Sequence, residues 1–89
     1  MVESKLAITN RLGLHARAAA KLVHTAGIFN SFVTMVKDGE EVDAKSILGI
    51  LQLGAAQGTE ISIRCEGSDE HEALEAVTRL IADRFGEGE

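Results

Sequence analysis

The chain has 89 residues, 45% of them hydrophobic, which is room for one domain over residues 1–89 built on one core. A formal net charge of −5 and only three aromatic residues, all Phe, argue against a nucleic-acid module, which shows a basic footprint and a base-stacking platform. No apolar run approaches the roughly 20 residues of a membrane span, and Met1-Val2-Glu3-Ser4-Lys5 lacks the layout of a signal peptide.

Residues 4–9 alternate, with Leu6 and Ile8 on one face and Lys5, Ala7 and Thr9 on the other, which predicts a half-buried strand. Asn10-Arg11-Leu12-Gly13 breaks it. From Ala16 the period changes: Ala18, Ala19, Leu22, Val23 and Ala26 form a helical apolar stripe, and Gly27 is placed to end it. Arg17, Ala20, Lys21 and His24 then face water. Residues 31–36 are rich in β-formers, and the Asp38-Gly39 pair behind them predicts a hairpin returning through Val42. A short helix is expected from Ser46, then a turn over residues 53–58. The next strand runs from Glu60 to Glu66 with Ile61, Ile63 and Cys65 inward. Ser68 or Asp69 caps a last helix with the stripe Ala73, Leu74, Val77, Leu80 and Ile81, and the Gly-Glu-Gly-Glu ending is expected to fray. The order β-α-β-β-α-β-α, with two strands alternating polar and apolar, implies an α+β open-faced sandwich: a four-stranded antiparallel sheet with three helices on one face.

Cys65 is the only cysteine and forms no internal disulfide, so a cytoplasmic location is expected. His15, His24, Cys65 and His71 are scattered singly, without the paired spacing of a metal site, and no cofactor is implied.

One histidine stands out. Gly13-Leu14-His15-Ala16-Arg17 runs directly into a helix start, placing His15 at or near the N-cap, where Ser, Thr, Asp or Asn is favoured. A helix N-terminus offers unpaired N–H groups and a partial positive charge, and so binds phosphate. The same positive end favours a neutral imidazole, as a nucleophile requires. Arg17, at the second helical position, is placed to offer charge-assisted donors to phosphoryl oxygens. On spacing alone, a plain loop histidine beside a solvated arginine is the more common explanation. His24 and His71 have no such context. No second base, carboxylate dyad or Ser-His-Asp set accompanies His15, so the expectation is a carrier that is reloaded rather than an independent enzyme.

The helix after Ser46 carries no charge through Leu53. Ser46 is a good N-cap, which alone accounts for its presence. If Ile50 and Leu53 face the core, helical geometry sends Ile47, Leu48 and Leu51 outward, and such an exposed aliphatic cluster usually marks a contact surface. Packing under a neighbouring loop is the alternative. Phosphorylation of Ser46 would add about −1.5 to −2 charges beside that patch.

Taken together, Gly13-Leu14-His15-Ala16-Arg17, Asp43-Ala44-Lys45-Ser46-Ile47, Leu53-Gly54, Gln57-Gly58-Thr59 and Glu66-Gly67 resemble, in order and spacing, the HPr family of histidine phosphocarriers of the bacterial phosphoenolpyruvate-dependent phosphotransferase system. The resemblance implies a relay. Enzyme I passes a phosphoryl group to Nδ1 of His15, and the carrier hands it to a histidine of an enzyme II A-type domain. It implies that Arg17 stabilises the phosphoryl group, that Ala16, Ala20, Ile47, Leu48 and Leu51 dock both neighbours, and that Ser46 matches the site of a regulatory serine kinase and phosphorylase. A carrier visited in turn by two partners is most simply a monomer.

Two features depart from the family pattern. Ala18 stands where the family usually has proline; Ala preserves the helix but leaves one extra N–H to satisfy. Positive charge near the site is sparse, confined to Arg17, Lys21 and Lys45. Three other readings stay open: a nitrogen-branch carrier, a transcription-factor-binding module in which His15 is idle, and a ferredoxin-like effector domain that shares only the fold.

Overall fold

The computed structural model describes residues 1–89. Four strands and three helices follow in the order β1 (Val2–Ala7), α1 (Ala16–Gly27), β2 (Phe32–Lys37), β3 (Glu40–Asp43), α2 (Ile47–Leu53), β4 (Glu60–Glu66) and α3 (Glu70–Ala82); a single 3-10 turn, Arg84–Gly86, comes after α3. The strands form one sheet in the order β1-β4-β2-β3, antiparallel at every pairing. This is the expected open-faced α+β sandwich. No helix is long and apolar enough to cross a membrane.

The period-2 pattern decides which face is covered. Ile61, Ile63 and Cys65 of β4 and Val33 and Met35 of β2 point under the helices and are buried. They meet Ala18, Ala19, Leu22 and Ala26 of α1, Ile50 and Leu53 of α2, and Ala73, Val77 and Ile81 of α3 in one hydrophobic cluster. Each large aliphatic side chain buried there contributes about 1.5–3 kcal/mol. Ser62 and Arg64 lie on the open face, where Arg64 pairs with Glu3 of β1 at 2.8 Å. The hairpin between β2 and β3 turns on Asp38 and Gly39, both in the left-handed region at φ 50° and 82°, as a two-residue primed turn requires.

Four local expectations need correction. Asp69 takes the N-cap place of α3, but its side chain makes no cap bond and turns to Asn30 and Ser31 instead. β1 begins two residues earlier than the alternation suggested, and Ile8, though buried, lies just past its end. Gly27 does not terminate α1 by a left-handed turn. The chain stays right-handed through Ile28, and the amides of Ile28 and Phe29 donate to the carbonyls of Thr25 and Ala26 instead. The Gly-Glu-Gly-Glu ending is not frayed. Phe85 is 1% exposed, Lys21 Nζ donates to its carbonyl at 2.6 Å, and the Arg11 amide donates to the carbonyl of Glu89 at 2.9 Å. Burial of one aromatic ring therefore folds the tail back over the loop that precedes α1. Arg84 and Phe85 accept positive φ values of 56° to make that return, a strained conformation for residues with a Cβ.

Candidate functional site

His15 is the N-cap of α1, with extended backbone (φ −74°, ψ 178°) and no side-chain bond to the helix. Its carbonyl accepts from the Ala19 amide at 2.8 Å, so the helix begins properly without the side chain's help. The amides of Ala16, Arg17 and Ala18 meet no backbone or side-chain acceptor of the protein. Three N–H donors and the positive end of a 12-residue helix thus lie at a histidine whose side chain does not cap them, the arrangement that suits an anionic group. The third of these donors is the amide of Ala18, a residue that keeps its N–H. The helix is intact around it, and the side chain is buried.

The loop that presents His15 is pinned from below. Leu14 is buried and its amide donates to the Ala55 carbonyl at 2.9 Å. Gly13 is required twice over: its φ is +67°, and a Cβ there would come within 2.7 Å of the Ala55 carbonyl oxygen and 2.9 Å of the Ala56 Cα. Asn10, fully buried, donates from Nδ2 to the Gly13 carbonyl at 2.8 Å and to Glu87 Oε1 at 2.9 Å; its Oδ1 has no partner in the protein. The tail completes the site from above. Glu87 Oε2 lies 2.5 Å from His15 Nε2. Burial acts to raise the Glu87 carboxyl, but hydrogen bonds from Asn10 and His15 outweigh it and hold the group below the ordinary glutamate value.

Arg17 is exposed and bonded to nothing. It lines a shallow cleft with Arg11, Lys21, Glu87 and Glu89. The positive charge near the site therefore differs from expectation. Arg11 joins it, itself paired with Glu89 at 3.3 Å. Lys21 is partly occupied by the Phe85 carbonyl, and Lys45 is drawn away to the carbonyl of Phe29 at 2.8 Å. No local sequence signal marks Asn10 or Glu87 as part of the site. Asn10 read as a turn residue and Glu87 as part of a polar ending; only the fold joins them to His15.

The second motif is placed as its spacing indicated. Ser46 caps α2, its Oγ accepting from the Gly49 amide at 3.2 Å. Ile50 and Leu53 are buried, while Ile47, Leu48 and Leu51 are exposed, Leu48 by 68%. Ala16 and Ala20 are exposed on α1, which packs against α2, so the histidine and the aliphatic patch belong to neighbouring helices on one side of the sheet. His24 and His71 are exposed helix residues and make no bond.

The family described as "PTS HPr component phosphorylation site" matches residues 2–83. Phosphocarrier protein HPr of Xylella fastidiosa is 52% identical over 87 residues, 98% of each chain. Phosphocarrier protein HPr of Cupriavidus necator is 51% identical over 89 residues, the whole of both chains. The crystal structure of HPr-C-His from Thermoanaerobacter tengcongensis superposes with a TM-score of 0.95 at 47% identity, covering 98% of each chain. A crystal structure of an HPr dimer from the same organism superposes at 0.79 with the same identity, covering 98% of this chain and 100% of the other.

Proposed function

The chain belongs to the HPr family, the phosphocarriers of the phosphotransferase system, and from that premise we propose that His15 is the residue on which the phosphoryl group is carried. The observation that supports this most directly is the N-cap position of His15, where a side chain that does no capping stands beside three unpaired amides. The incoming group attaches to Nδ1. Its oxygens accept from the first-turn amides of α1, and Arg17 adds a mobile charge from the rim. The absence of a deep pocket suits a group that must be reached by two partners in succession.

Those partners are components of the phosphotransferase system. On our reading the donor is enzyme I and the acceptor a histidine of an enzyme II A-type domain. Both dock on Ala16 and Ala20 together with Ile47, Leu48 and Leu51. A second phosphoryl group on Ser46 would add negative charge at the edge of this patch without unfolding α2, since the N-terminus of a helix favours an anion. Docking would weaken and the fold would survive. We read the protein as one carrier domain that works by being reloaded, most simply as a monomer, in the branch that serves sugar uptake. Radiolabelled phosphoenolpyruvate with the cognate enzyme I tests the assignment. Wild type is expected to take an acid-labile, alkali-stable label that His15→Ala loses. Undiminished label in His15→Ala would move the site elsewhere.

A further inference from the structure

A histidine that accepts a phosphoryl group must choose between two ring nitrogens. In this structure only Nε2 has a partner, the Glu87 carboxylate at 2.5 Å. A carboxylate can accept a hydrogen bond but has none to donate, and a neutral imidazole carries a proton on one nitrogen and a lone pair on the other. We infer that Glu87 is a positioning residue for phosphoryl transfer: it holds His15 in the Nε2–H tautomer and so leaves the lone pair on Nδ1. This inference rests on the proposed role of His15 and adds to it the residue that selects the reacting nitrogen.

The contact is built rather than incidental. The Glu87 side chain is only 10% exposed, and its second oxygen accepts from Asn10 Nδ2. Asn10 is itself fully buried and clasps the Gly13 carbonyl, so the group that orients and the group that is oriented hang from the same loop. Upstream, the buried Phe85 ring and the Lys21 bond to its carbonyl anchor the tail, and the Glu87 amide donates to the Arg84 carbonyl at 3.0 Å. Two non-glycine residues held at positive φ just before Glu87 show how much local preference the chain gives up to bring this carboxylate back.

The chemistry balances with the proton left in place. The Nδ1 lone pair attacks phosphorus, the new N–P bond forms, and the bond from phosphorus to the donor enzyme breaks, its electron pair staying with the donor. His15 keeps its Nε2 proton throughout, so the phosphorylated ring gains positive charge, and the Glu87 carboxylate lies against it. The logic is that of the aspartate that orients a catalytic histidine and stabilises the imidazolium.

Nitrogen-15 NMR of the histidine-labelled, unphosphorylated protein, with the ring neutral, reads the tautomer directly. Initial rates of labelling through enzyme I read the consequence. Wild type is expected to show the Nε2–H form. Glu87→Ala is expected to mix the tautomers and slow labelling by roughly 10–100-fold, the range seen when the outer partner of a metal-bound histidine is removed. Glu87→Gln, whose single oxygen cannot accept from both Asn10 and His15, recovers at most part of both. An Nδ1–H tautomer in wild type, or a Glu87→Ala protein with unchanged tautomer and rate, overturns the inference, as does faster labelling of Glu87→Ala, which would make the tail a shield. Should no protein label at His15, the carrier assignment fails separately, and the tautomer still decides the role of Glu87.

Discussion

Helices α1 and α2 begin with residues that could do the same job and do not. Ser46 caps α2 with its own side chain, accepting from the Gly49 amide, which leaves the Ile47 and Leu48 amides open. His15 occupies the equivalent place on α1 and makes no such bond, so three amides stay open. α3 offers a third case. Its N-cap, Asp69, also declines to cap and turns its carboxylate to the amides of Asn30 and Ser31 and to Ser31 Oγ, tying α3 to the start of β2. The same helix position thus serves local stability in α2, long-range stability in α3 and, on the proposed reading, chemistry in α1. On the proposed reading chemistry uses the start with the most open amides, three on α1 against two on α2, because a donor already satisfied cannot be offered to a ligand.

Substitutions that swap these roles test the contrast. The largest effect is expected from His15→Asn, which provides α1 with a favourable cap. Labelling from phosphoenolpyruvate should vanish, while the cap, worth about 1 kcal/mol, keeps the urea midpoint at or above that of wild type. Ser46→Ala does the reverse. It should lower stability by about 1 kcal/mol in urea unfolding and leave His15 able to take label.

Asp69 sharpens the comparison through pH. The Ser31 hydroxyl, followed by the Asn30 amide, holds its carboxyl below the ordinary aspartate value. A carboxylate whose folded value is depressed contributes stability above its unfolded value of about 3.9 and loses it as pH falls through the lower folded value. Urea midpoints should therefore drop as pH is taken from 5 toward ~3, and Asp69→Asn should flatten that part of the profile. The smallest effect belongs to Ala18→Pro. The Ala18 amide has no acceptor to lose, so stability should change by less than about 1 kcal/mol and labelling should persist with two open amides in place of three.

What could be read from the sequence was what short-range physics decides. The alternation of Ile61, Ile63 and Cys65 placed β4, the Asp38-Gly39 pair placed the hairpin, and the stripe from Ala18 to Ala26 placed α1 and, with it, His15 at the helix start. The outward cluster Ile47, Leu48 and Leu51 followed from helical geometry alone. Illegible were the contacts made across the chain. Gly-Glu-Gly-Glu carries every local mark of a loose end, and nothing near it announces that Phe85 fills the core or that Glu87 meets a histidine 72 residues away. Asn10 looks like any turn residue until Gly13 and Glu87 are seen on its amide. Gly27 misled for a different reason: glycine permits a left-handed stop but does not impose one, and Ile28 keeps the chain right-handed.

The central claim is that the phosphoryl group attaches to Nδ1 of His15 because Nε2 is already held. Phosphorylating the protein through enzyme I and assigning the modified nitrogen by phosphorus-31 and nitrogen-15 NMR tests it most directly. The account predicts a single phosphohistidine at His15 with phosphorus on Nδ1 and a proton on Nε2. Phosphorus on Nε2, or on any residue other than His15, would contradict it.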